Sequence, residues 1–103
     1  MKRISDIIEV VGPVETARGG CEVCASAEAH YDEDAARLIV TVDAFLRTTD
    51  LLKKEERFQP AWLPPRETVR ENVGPEEAVE LAREVFGRWV RKVRSAVPAP
   101  AHD

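Results

Sequence analysis

The stretch Cys21-Glu-Val-Cys-Ala-Ser-Ala-Glu-Ala-His-Tyr-Asp-Glu-Asp-Ala-Ala-Arg-Leu-Ile-Val-Thr-Val-Asp-Ala-Phe-Leu-Arg-Thr-Thr-Asp-Leu-Leu52 decides how this chain folds. Stepping alternately by three and four from Cys21 meets Cys24, Glu28, Tyr31, Ala35, Leu38, Val42, Phe45, Thr49 and Leu52, a mostly apolar stripe at helical period. Ile39 and Leu46 widen it to the three-in-seven face of a bundle helix. The β-branched run Leu38-Ile-Val-Thr-Val42 offers a strand instead. The flanks favour the helix, because Asp32-Glu33-Asp34 lies upstream and Lys53-Lys54 downstream, in the sense that complements a helix dipole. The expectation is one long helix over about 21–57, or two that break near His30-Tyr31-Asp32 with Asp32 as the second N-cap.

Outward from this stretch, Ile4, Ile7, Ile8 and Val11 repeat the helical spacing and predict a short N-terminal helix stopped by Gly12-Pro13. Residues 14–20 read as a connection. Beyond the central stretch, three prolines within residues 58–65 forbid a regular element. The apolar Phe58, Trp62 and Leu63 there suit a strap packed across the helices or an anchor for a partner. Residues 66–73 suggest a short helical turn. Gly74-Pro75-Glu76-Glu77 opens the clearest helix, whose apolar face runs through Ala78, Leu81, Ala82, Val85, Phe86, Trp89, Val90, Val93 and Val97. Gly87 within it suggests close approach of another helix.

The expected fold is therefore all-α. It is a small bundle of two long antiparallel helices plus a short N-terminal helix, in one helical domain over 1–97 with a disordered tail at 98–103. Two lone amphipathic helices leave apolar surface uncovered, which predicts a homodimer or higher oligomer, or a place in a larger complex.

Composition narrows the function classes. With 103 residues the chain supports a single domain. At 44% apolar it can bury a core, which separates it from disordered chains. A net charge of -4 gives no general reason to expect nucleic acid. No apolar run approaches a membrane span or a secretory signal, so a cytoplasmic protein with reduced thiols is expected. The usual phosphate-loop, dinucleotide, nucleophile-elbow and zinc-protease motifs do not occur.

One cluster could carry chemistry. Cys21-Glu-Val-Cys24 is a C-x-x-C, and at a helix start the free N–H groups would lower thiol pKa values. Glu28, four residues past Cys24, could then accept a proton, which gives a redox set of Cys21, Cys24 and Glu28. The glycine-led Cys21–Cys24 turn, with Glu9 twelve residues before it, resembles the helical carboxymuconolactone decarboxylase and alkylhydroperoxidase D-like family. That likeness covers about twenty residues and implies thiol redox chemistry. In this chain Glu28 stands where the family has a histidine, and His30 comes two residues late. A metal set of Cys21, Cys24 and His30, holding Zn or Fe, is the other chemical reading; it lacks a fourth ligand unless two copies combine their thiols.

The absence of a complete catalytic set favours a non-enzymatic accessory or assembly subunit that binds itself or another protein. Phe58, Trp62, Leu63, Phe86 and Trp89 are the candidate partner-binding residues. A thiol-redox or metal protein is the first alternative. The second is a nucleic-acid adapter through Arg88, Arg91, Lys92 and Arg94, which no exposed aromatic interleaves, so nucleic acid is not the expected partner.

Overall fold

The computed structural model describes residues 2–16, 19–50 and 55–97. It overturns the all-α expectation. Among these residues five strands, β1 (Lys2–Thr16), β2 (Gly19–Asp32), β3 (Arg37–Asp50), β4 (Glu55–Pro60) and β5 (Arg66–Arg70), precede a single helix, α1 (Pro75–Ala96). The predicted N-terminal helix is β1. The predicted long helix over about 21–57 takes in the β2–β3 hairpin and the start of β4, with 51–54 outside the described residues. The stretch 58–65, expected to hold no regular element, begins within β4, and the expected turn at 66–73 holds β5. Only α1 appears where the sequence placed a helix.

The sheet is antiparallel throughout. β1 pairs β2 and β2 pairs β3, while β4 and β5 share the far side of β3. β4 lies along Phe45–Asp50 and β5 along Leu38–Val42. Pro60, Pro64 and Pro65 explain that split, because proline cannot donate to a ladder and breaks an edge strand. Between the two strands, Ala61 N donates to Ala44 O at 3.2 Å. Ala61 and Leu63 pack against the core, while Trp62 stays exposed.

The physical reason for strands is a period of two. On β2 the odd positions Cys21, Val23, Ala25, Ala27, Ala29 and Tyr31 are buried. The even positions Glu22, Ser26, Glu28, His30 and Asp32 are half-exposed. On β3, Leu38, Val40, Val42 and Ala44 are buried and face the same way, opposite their β2 partners Tyr31, Ala29, Ala27 and Ala25. Strand side chains alternate between faces, and this pattern sorts one face for a core. Asp32 does not cap a helix. Its carboxylate accepts from Ala35 N at 3.2 Å and shapes the β2–β3 turn, in which Ala36 takes a left-handed φ of 50°.

α1 lies on the face sorted for the core. Ala78, Ala82, Phe86, Trp89, Val90 and Val93 are its buried residues. The alanines of β2 leave room for the large rings above them. The Trp89 indole N–H donates to Asp43 O at 2.8 Å, and Tyr31 O–H donates to Val73 O at 2.5 Å just before the helix starts. Glu76 and Glu77 in the first turn and Arg94 in the last suit its dipole.

Gly87 corrects a second expectation. A Cβ built there meets nothing within 4 Å, so no close neighbour requires glycine. Gly87→Ala should therefore raise unfolding stability by about 1 kcal/mol, the difference in helix propensity. Guanidinium titration of both proteins measures this, and a destabilised variant would contradict the open environment.

Candidate functional site

Residues three apart on a strand point to opposite faces. Cys21 opposes Thr48 and Cys24 opposes Phe45 in an unbroken β2–β3 register, so the C-x-x-C is divided by the sheet. Cys21 belongs to the helix-covered face and Cys24 to the other. Both are buried free thiols. Two thiols on opposite faces cannot exchange a disulfide or ligate one ion. Among the described residues no group of three His, Cys, Asp or Glu gathers that could hold a metal.

The thiol chemistry is also reversed from the helix-start expectation. Burial pushes the Cys24 thiol above its ordinary value of 9.0; Arg47 pulls the other way and Glu22 adds to the rise. A protonated thiol is a poor nucleophile and a poor ligand. Glu28 shares the face of Cys24, but it is engaged by Arg3 at 2.6 Å, and His30 Nε2 lies 3.4 Å from the same oxygen. Glu28 and His30 thus belong to an ion-paired group rather than to a thiol site.

The face away from α1 has no second layer among the described residues. It carries Ile8 and Val10 of β1, Cys24 of β2, Phe45 of β3 and Phe58 of β4. Ile8 is 61%, Phe58 60% and Val10 45% exposed, whereas Cys24 is fully buried and opposes both Val10 and Phe45 in the ladders. Phe45 and Phe58 meet edge to face with ring centroids 5.7 Å apart. Polar pairs flank this strip at both ends. Arg47 Nε donates to Glu22 at 2.9 Å at one end. Arg3, Asp6 and Glu28 cluster at the other. Between the strip and the second cluster lies a shallow hollow of about 340 Å³, lined by Arg3, Asp6, Ile8, Ser26, Glu28 and Phe45 among others.

Of the predicted partner residues, Phe58 lies on this open face. Trp62 is 46% exposed in the β4–β5 connection, and Leu63 is half-buried against the core. Phe86 and Trp89 are core residues, covered by the sheet of their own chain. Sequence reasoning missed Ile8, Val10 and Phe45 as surface. Their signal was the i, i+2 spacing of Ile8 and Val10, which a helical reading distributes over different faces.

The chain matches no family model, and comparison with curated proteins and solved structures returned no match. No helix among the described residues is long and apolar enough to cross a membrane.

The raised Cys24 pKa fixes a pH dependence. Above about pH 9 the unfolded chain loses its thiol proton while the folded chain keeps it, so the stability held at lower pH is lost as pH rises. The Tyr31 hydroxyl, pushed up by burial and then by Glu33, Asp32 and Glu77, acts in the same sense at higher pH. Thermal melts should stay level to about pH 8.5 and fall beyond it, with Cys24→Ala flattening the first part of the fall. In native protein at pH 7, a thiol reagent should label Cys24 only after guanidinium is added. Fast native labelling of Cys24, located by mass spectrometry, would contradict its placement.

Proposed function

We propose that this protein is a non-enzymatic interaction module that works through the open face of its sheet, and that the surface covering this face is a second copy of the chain. The single observation behind this reading is the exposed strip of Ile8, Val10 and Phe58, continuous with Phe45, on a sheet that the described residues layer on one side only. Exposed apolar surface of this kind marks interaction sites more often than chance.

Charge and size support a like partner. Each end of the strip carries both signs, Glu22 with Arg47 and Arg3 with Asp6 and Glu28, so a copy turned end for end sets acid against base at both rims. That matters for a chain of net charge -4, which would otherwise repel itself. The molecule measures 53 × 31 × 19 Å, so its broad face exceeds the roughly 800 Å² per partner of a standard interface. The hollow beside Ile8 is a place for a side chain of the facing copy. A reducing cytoplasmic setting suits two thiols held apart on opposite faces.

Light scattering after size exclusion should give twice the 11.5 kDa chain mass. Ile8→Glu with Phe58→Glu should convert the particle to a folded monomer with an unchanged circular dichroism spectrum, since both positions are exposed. A wild-type monomer, or a dimer indifferent to both changes, would overturn self-association through this face.

A further inference from the structure

A second surface lies on the opposite layer, where the edge of the sheet meets α1. Strand alternation puts Arg66, Thr68 and Arg70 of β5 on the helix-covered side, opposite Val42, Val40 and Leu38 in the ladder. Helical spacing puts Arg88 and Lys92 one turn apart on α1. The two elements enclose a groove of about 160 Å³ whose lining is Arg66, Thr68, Arg70, Val85, Arg88, Trp89 and Lys92. Among the described residues that line it are four cations and no carboxylate. None of the four takes part in an ion pair among the described residues. The paired arginines, Arg3, Arg37, Arg47 and Arg94, lie elsewhere.

Cations brought together without acids repel one another, and an anion seated among them would relieve that repulsion. Guanidinium groups suit phosphate, since their planar forks donate two hydrogen bonds to paired oxygens. Arg66 and Arg70 stand roughly 13 Å apart along the strand, and Arg88 and Lys92 roughly 6 Å apart along the helix. That spread fits two phosphates side by side better than one. The Thr68 hydroxyl between the strand arginines adds a neutral donor. Val85 and the buried Trp89 lie between the charged side chains as an apolar floor to the groove.

We infer that the β5–α1 groove binds the phosphate groups of a polyanionic ligand, with Arg66, Arg70, Arg88 and Lys92 as the contacting residues. The phosphates come either from a free polyphosphate or from a nucleic-acid backbone. The site stands independently of the open face, and its test leaves the strip of Ile8 and Phe58 untouched.

The test uses the full chain with two probes, inorganic tripolyphosphate by calorimetry and a labelled 12-nucleotide oligothymidine by anisotropy. Saturable binding of at least one is expected. Arg66→Gln with Arg70→Gln, and separately Arg88→Gln with Lys92→Gln, should each weaken it at least tenfold. All four side chains are exposed, so the circular dichroism melt should hold in both variants. Arg83→Gln with Arg91→Gln removes equal charge from exposed helix positions outside the groove and should leave binding within twofold. For the oligonucleotide, each groove pair should also reduce the slope of log K against log salt by about 0.7 for every phosphate that is no longer neutralised. Binding of tripolyphosphate alone identifies a free-phosphate ligand, and tighter binding of the oligonucleotide identifies a nucleic-acid backbone. Failure of both probes, or equal weakening by the Arg83 and Arg91 pair, would overturn the site.

Discussion

Everything in this molecule depends on how one helix sits on one face of a sheet. The central strand gives that face its floor with Ala25, Ala27 and Ala29, all buried. Small side chains there let the α1 backbone come close, so that Phe86, Trp89 and Val93 fill the space between layers. Two hydrogen bonds set the placement. Trp89 reaches the Asp43 carbonyl, and Tyr31 holds the Val73 carbonyl at the point where the chain turns into the helix. Truncating a ring of this kind typically costs about 3–5 kcal/mol, a large part of the stability of a domain this size. Since α1 is the single helix among the described residues, nothing among them covers the other face of the sheet.

The division of the C-x-x-C follows from the same alternation. A spacing of three gathers two thiols on a helix and separates them on a strand. The chemistry read from Cys21 and Cys24 thus depended wholly on secondary structure. Once β2 is a strand, Cys21 joins the covered face, Cys24 lies beneath the open one, and Glu28 pairs with Arg3.

The helix α1 was legible because its signals agree: proline at the first turn, acids following, base at the end and one broad apolar face. The β2–β3 hairpin was misread for a specific reason. The stripe drawn at steps of three and four mixes faces. Cys21, Tyr31, Leu38 and Val42 point to the helix, and Cys24, Glu28 and Phe45 point away. A central strand with some apolar residues on both faces satisfies a helical template by coincidence. The acids at 32–34 added to the error, because an aspartate that opens a helix and one that shapes a turn use the same short carboxylate reach. The alternation Val23, Ala25, Ala27, Ala29 against Glu22, Ser26, Glu28 was present in the sequence, muted by the weak strand preference of alanine. The basic groove was illegible for another reason: its halves are separated by the length of a loop and half a helix, and only the fold joins them.

The two surfaces have a geometric consequence for each other. The apolar strip lies on the side of the sheet away from α1, and the basic groove lies on the helix side at the β5 edge. Pairing two copies through their open faces places both helices outermost. Both grooves then stay accessible on one particle, related by the two-fold axis. A long polyanion that reaches from one to the other would meet the second groove at raised effective concentration, so modest affinity at each four-cation site compounds. A short polyphosphate would occupy one groove at a time and gain nothing from pairing. Self-association through Ile8 and Phe58 would therefore act as a filter on ligand length, although neither residue touches the ligand.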